Sequence, residues 1–248
     1  MTAAKKKKIR KLTGILAVII AMFQMITLVS TVLAYYKGED ITMMFSYSNQ
    51  TLALAITAMV VAAHGLIGYA CLKCRRNGIL LLGISLLVVD GVMNYGMTLA
   101  KLIEGALCAG GWNYISAQPF YTWPRGVFYP LAWSLMLIYA WIGFSRKKDA
   151  LQKIWWIPGA CLAVYYLVGN YVSISLMCKI WPIYIEAGNA DRILINVIDI
   201  VLMTVAAGGY CAEALGLGKW LYCGGKSRRK KQAAAHDAKL VNDRMQKG

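Results

Sequence analysis

Long apolar blocks and clusters of basic residues alternate along this chain, and that alternation restricts its fold more than any other feature. Of the 27 Lys and Arg residues, 22 fall into four clusters, at 5–11, 73–76, 146–153 and 219–247. Membrane proteins retain Lys and Arg in their cytoplasmic loops. The alternation therefore predicts an integral membrane protein whose basic clusters share one side of the bilayer.

The apolar blocks are long enough to cross a bilayer as helices. Apolar residues make up 59% of the chain and charged residues 15%, against about 25% charged residues in a typical soluble domain. A helix needs roughly 20 residues to cross about 30 Å of hydrocarbon. The blocks show no apolar–polar alternation, and a backbone in lipid must satisfy its own hydrogen bonds, so helices are predicted rather than strands. The predicted spans are 12–36, 51–72, 79–103, 126–145, 154–178 and about 193–215.

The fold class that follows is an all-α, multi-pass membrane protein with six transmembrane helices. Residues 1–222 would form the transmembrane domain and 223–248 a basic tail. Six spans place both termini on one side, which the basic clusters assign to the cytoplasm, and we expect location in the plasma membrane. The first block is too long for a cleaved signal peptide and is interpreted as a retained span. The formal net charge of +16 would suit nucleic-acid binding, but here it follows from topology, so no nucleic acid is predicted.

Ionisable groups inside predicted spans are costly and therefore candidates for function. His64 on the second span and Asp90 on the third lie about 12 and 16 Å from the cytoplasmic loop at 1.5 Å per residue. We expect them to meet, with Asn94 one turn beyond Asp90. A carboxylate beside an imidazole can bind a proton near neutral pH. The alternative interpretation, which we favour, is a polar contact that only fixes helix register.

The sixth span carries a second polar pair, Asn196 and Asp199, nearer the outer side. With Asn170 on the fifth span and Gln24 on the first, they would line a hydrated path or form ordinary hydrogen bonds between helices. Glu213 lies at the predicted inner interface, where Lys219 could neutralise it, and is assigned no chemistry.

The connection between the third and fourth spans, 104–125, is aromatic rather than hydrophilic. Its Trp112, Tyr114 and Trp123 are typical of side chains at the headgroup level. An aromatic belt is the favoured interpretation, and a gate over the helices is the second.

Cys71 and Cys74 form a CxxC motif among basic residues, a setting that favours thiolate. The topology places both in the reducing cytosol, so incidental thiols are favoured over redox chemistry. Cys108 and Cys178 fall on the outer side and could form a disulfide. The motif is too small for a structural zinc site, and no metal or cofactor is predicted.

Small residues recur every four positions on three spans: Ala17 and Ala21 on the first, Gly159 and Ala163 on the fifth, and Thr204, Gly208 and Ala212 on the sixth. Such stripes let helices approach closely, within the bundle or with a protein partner or second copy.

Three functions follow in order of preference. The first is a small-solute or ion transporter, with His64, Asp90 and Asp199 as proton or ligand groups. The second is a non-catalytic membrane subunit or scaffold of a transport or signalling complex. An intramembrane enzyme ranks last, because the chain has no HExxH or GxSxG motif and no catalytic residue is identified.

Overall fold

In the computed structural model the described residues are 3–38, 50–73, 78–108, 122–144, 154–186, 188 and 190–245. Within them, the side chains of 3, 94–99, 101–102, 122–126, 143–144, 190–192 and 222–245 lie outside the description. The described part is all-helical and contains no strand. Its helices are α1 (Ala3–Tyr36), α2 (Gln50–Leu72), α3 (Gly78–Cys108), α4 (Thr122–Phe144), α5 (Ile157–Glu186) and α6 (Ala190–Met245).

Each predicted apolar block lies within one of these helices over nearly its whole length. Four helices are long and apolar enough to cross a membrane, over Ala4–Tyr36, Gln50–Leu72, Ile157–Glu186 and Ile193–Leu221. The described apolar parts of α3 and α4 are shorter, Gly78–Met93 and Val127–Ile142. Beyond its apolar part, α6 continues as helix through the predicted tail to Met245.

The helices form a closed ring in chain order. Each helix packs against the next one along the chain, α1 packs against α6, and α4 also contacts α6. Gly14 near the start of α1 lies against Cys71 and Leu72 at the end of α2, so these two helices are antiparallel. Gly216 on α6 lies against Thr13, and Gly209, two turns earlier, lies against Ile20, so α6 is antiparallel to α1 as well.

This arrangement brings the described members of three basic clusters to one end of the ring, which we call the basic end. Lys5 to Lys11 begin α1, Lys73 follows α2, and Lys219 lies on α6 beyond Gly216. The Lys219 ammonium sits 5.1 Å from the Trp155 ring centroid, a cation–π contact. The cluster at 146–153 lies outside the described residues.

Small residues allow the helices to approach closely inside the ring. A Cβ added at Gly83 would lie 2.9 Å from the Ala63 carbonyl oxygen and 3.0 Å from Ile67 Cγ1. Ala17 is fully buried and Gly159 packs against Leu215, so the stripes of α1 and α5 are used between helices of the bundle. Thr204, Gly208 and Ala212 on α6 are instead exposed.

The outside of the bundle is apolar. On α1, Ile19, Met22, Ile26 and Leu33 are each more than half exposed. Hydroxyls on the apolar helices are satisfied locally, because Thr31 and Ser30 donate to the carbonyls four residues earlier, at 2.8 and 3.0 Å. An apolar surface with internally satisfied polar groups is what a lipid environment requires.

The close approach of α3 to α2 gives a stability prediction. Gly83→Ala should destabilise the protein by about 1–3 kcal/mol, because its Cβ meets backbone that cannot move easily. Thermal unfolding of the detergent-solubilised protein measures this. Gly65→Ala is the matched control, since a Cβ there meets nothing within 4 Å, and it should be neutral or slightly stabilising. Equal stability of the two variants would contradict the packing described.

Candidate functional site

A cavity of about 580 Å³ occupies the part of the ring away from the basic end. All of the helices contribute to its lining, from Phe23 to Thr27 on α1, Ile56 to Val60 on α2, and mid-helix positions on α3 to α6. Between the cavity and the basic end the ring is filled. The large side chains that are almost fully buried lie there: Trp133, Ile67, Leu80, Ile84, Leu87, Met136, Leu162, Leu217, Leu221 and His64. The bundle thus has its larger cavity in one half, the hollow half, and its buried core in the other, the packed half. A shallower pocket of about 320 Å³ lies beside that core, between α1 and α6 near Lys219.

Two carboxylates line the cavity. Asp90 on α3 is only 4% exposed and accepts a hydrogen bond from the Tyr129 hydroxyl at 2.7 Å. Asp199 on α6 is exposed. One acid is therefore held inside the bundle by a hydrogen bond, and the other is exposed at the edge of the cavity.

Four tyrosines line the cavity and contact one another in a row, which we call the tyrosine row: Tyr129, Tyr165, Tyr166 and Tyr210. Successive ring centroids are 5.1, 4.8 and 5.5 Å apart, and the last pair is nearly parallel at 13°. Such spacings are favourable for aromatic rings. The row begins at the tyrosine that binds Asp90 and ends at Tyr210, whose hydroxyl accepts a hydrogen bond from the Gln24 amide.

Behind Tyr210 lies a buried acid–imidazole pair. Nδ1 of His64 is 3.1 Å from Oε1 and 2.9 Å from Oε2 of Glu213, and neither side chain has any exposed surface. A proton must lie between these atoms, because an unprotonated imidazole nitrogen and a carboxylate oxygen are both acceptors. The His64 ring centroid is 5.3 Å from that of Tyr210 and 6.0 Å from that of Trp133. Tyr210 thus stands between the cavity and a proton-holding pair.

The expected meeting of His64 and Asp90 is wrong. Gly83 on α3 lies against Ala63 and Ile67 on α2. The position on α3 that lies beside His64 is therefore near residue 84. Asp90 is about six residues, roughly 9 Å, further along that helix. The imidazole binds Glu213 instead, and the Asp90 carboxylate binds Tyr129.

The expectation that Glu213 lies at the inner interface, with Lys219 as its partner, is also wrong. The α6 helix continues well past the predicted end of its span, so Glu213 lies inside the packed half and is fully buried. Lys219, its expected partner, lies over the Trp155 ring.

The other predicted polar residues fall in several places. Asp90, Asp199, Gln24 and Asn170 all line the one cavity, and the Asn170 amide donates to the Thr204 hydroxyl at 3.1 Å. Asn196 is half-buried on α6. Asn94 lies on α3, and its side chain is outside the described set.

The predicted gate and the thiol motif fall only partly within the described residues. Trp112, Tyr114 and Cys74 lie outside the described residues, as does the side chain of Trp123 on α4. Cys71 is fully buried among the core side chains and forms no disulfide. Cys108 and Cys178 are exposed and unbridged.

The tyrosine row and Glu213 are the site residues that sequence reasoning missed. Aromatic residues in an apolar span resemble ordinary packing, so Tyr165 and Tyr166 carried no separate signal. One signal was available on α6, where Tyr210 and Glu213 are three residues apart and so share a face. Comparison of the chain with protein-family models, curated proteins and solved structures finds no match.

The buried pair predicts non-additive stability. Glu213→Leu and His64→Leu should each lower the free energy of unfolding by about 3 kcal/mol, because each removes one member of the pair and leaves a buried polar partner unmatched. The double variant should lose clearly less than the sum of the two. A double-mutant cycle by thermal unfolding in detergent measures the coupling. Additive losses would mean that the two groups do not interact.

Proposed function

We propose that this chain is a multi-pass plasma-membrane protein, with six spans and both termini in the cytoplasm, that transports a small solute. The observation that carries the proposal is the cavity of about 580 Å³, which is lined from every helix of the ring and contains carboxylate, amide and hydroxyl groups. Ligand sites for small molecules fall in the range of about 300–1,000 Å³.

The position of the cavity supports this function over a purely structural one. A bundle needs no internal space for stability, and helices in cores pack at high density. Here the half at the basic end is packed in that way, whereas the other half encloses polar groups that lipid could not satisfy. With the basic end in the cytoplasm, the cavity lies in the outer half of the membrane, where a solute would enter.

Transport then requires the packed half to open. We propose that the floor of the cavity is Tyr210, with His64 and Glu213 behind it, and that these side chains separate when solute passes inward. The proton held between His64 and Glu213 would be exposed to water at that moment. His64, Asp90 and Asp199 are accordingly the proposed proton or ligand groups, with Glu213 added to them.

The proposed orientation predicts which thiols can be labelled. In single-cysteine variants in intact cells, a membrane-impermeant maleimide should react with Cys108 and with Cys178, which are exposed at the end opposite the basic clusters. Ala4→Cys, at the exposed start of α1, should react only after the cells are permeabilised. Labelling of Ala4→Cys in intact cells, or protection of both Cys108 and Cys178, would contradict the proposed orientation.

The transport function predicts that filling the cavity stops solute entry. Purified protein in liposomes is given a defined mixture of amino acids, amines, nucleosides and sugars, and the trapped solutes are measured by mass spectrometry. We expect one chemical group of solutes to enter, and Gly169→Phe to reduce its initial rate by about tenfold or more. Gly169 lines the cavity, and a Cβ there meets nothing within 4 Å, so the variant should still fold.

Gly208→Phe is the matched control for this experiment. Gly208 also has open space around its Cβ, but it is exposed on the outside of α6. Its replacement should leave uptake unchanged. If no solute in the mixture enters faster than into protein-free liposomes, the transport proposal fails.

A non-catalytic membrane subunit is the second candidate. The exposed stripe of Thr204, Gly208 and Ala212 favours it, because such a stripe would allow close approach of a helix from a partner or a second copy. In that case Gly208→Phe should disrupt a complex isolated in mild detergent, whereas Gly169→Phe should leave it intact. The same two variants therefore separate the two functions.

A further inference from the structure

We propose that the ligand of the cavity is an organic ammonium cation of low molecular mass. This inference rests on the proposed function, because it names the class of solute that the same site would take. Three properties of the cavity support it: the negative charge of its lining, the aromatic rings in that lining, and its volume.

The charge of the described lining is negative. Asp90 and Asp199 are its acids, and no Lys, Arg or His is among the lining residues that the structure describes. Asp90 is the stronger determinant, because it is almost fully buried and a charge held away from water acts more strongly on its neighbours. An anionic solute would meet repulsion here without a cation to balance it.

The aromatic content narrows the class from cations in general to organic ammonium ions. Tyr129, Tyr165, Tyr166 and Tyr210 form a continuous row along the cavity, and its first member donates a hydrogen bond to Asp90. Tyrosine faces attract ammonium groups, and cages of aromatic rings recognise quaternary ammonium ligands. The combination of a carboxylate with neighbouring rings therefore suits a cation that carries carbon substituents.

The volume supports the same class. A space of about 580 Å³ far exceeds what a bare inorganic cation and its ligands occupy, and it can hold a molecule with an apolar portion. Leu202, Met203 and Ala206 on α6 and Ile56 on α2 supply apolar surface next to the acids. An ammonium group near Asp90 and a short hydrocarbon portion against these residues would occupy the site.

Binding to purified protein in detergent tests the charge requirement. The probes are choline and its neutral isostere 3,3-dimethylbutan-1-ol, in which carbon replaces nitrogen, together with the anion 3,3-dimethylbutanoate and with potassium ion. Titration calorimetry should give binding of choline, with the neutral isostere weaker by about tenfold or more and the anion not detected. Equal affinity for choline and its isostere, or preference for the anion, would overturn the proposal. Binding of potassium but not choline would also overturn it.

Variants test which residues recognise the cation. Asp90→Asn should weaken choline binding by about thirtyfold or more, and Asp199→Asn by about threefold, because Asp199 is exposed. Tyr165→Leu should weaken it by about fivefold, whereas Tyr165→Phe, which keeps the ring, should bind nearly normally. Glu104→Gln, an exposed acid on α3 that is not among the lining residues, is the control and should have no effect.

If Asp90→Asn does not fold, the proposal is still tested by two experiments that do not use that variant. These are the comparison of the four probes on the unmodified protein and the comparison of Tyr165→Leu with Tyr165→Phe. Equal affinity in Tyr165→Leu and Tyr165→Phe would remove the aromatic part of the inference. Choline that binds but never enters liposomes would contradict transport and leave the ligand class standing. Uptake of a neutral or anionic solute without choline binding would contradict the ligand class and leave transport standing.

Discussion

A polar side chain inside this bundle needs a partner on another helix or on its own backbone, because an apolar surrounding offers none. A few buried atoms of the described residues, such as Trp133 Nε1, have no such partner. The cross-helix pairs show how the chain meets that requirement. His64 on α2 binds Glu213 on α6, Tyr129 on α4 binds Asp90 on α3, and Gln24 on α1 binds Tyr210 on α6. An unpaired buried charge would cost several kcal/mol, so these contacts fix both the order and the register of the helices.

The same requirement explains why the two halves of the ring differ. In the packed half, glycines and alanines bring helices together, and Ala17, Ala63 and Ala70 have no exposed surface. In the hollow half, tyrosines and polar side chains line the space together with small residues such as Gly169 and Ala206. A Cβ at Gly169 meets nothing within 4 Å, so no close helix contact forms there.

The number and position of the helices were predictable because each depends on a property of one segment. Apolar length predicts a helix in lipid, and each of the six apolar blocks lies in one helix of the structure over nearly its whole length. The partners of buried groups were not predictable in the same way. His64 and Asp90 lie on adjacent helices and were expected at similar depth, but the contact of Gly83 with Ala63 and Ile67 sets a register that separates them. Depth along a helix constrains a pair only to within a turn or two, whereas a hydrogen bond requires the correct atom within about 3 Å.

Glu213 shows that an error of a few residues in the predicted end of a span can change the expected environment of a charged side chain. Ending the sixth span at 215 places that acid at a wet interface, where a charge needs no partner. The continuous α6 places it in the packed half, where a partner is obligatory, and His64 is the partner present. Tyr210, one turn earlier on the same face, touches both the cavity and the His64 ring. Tyr210 is therefore the side chain that separates the cavity from the buried pair, and the length of α6 determines where all three groups lie.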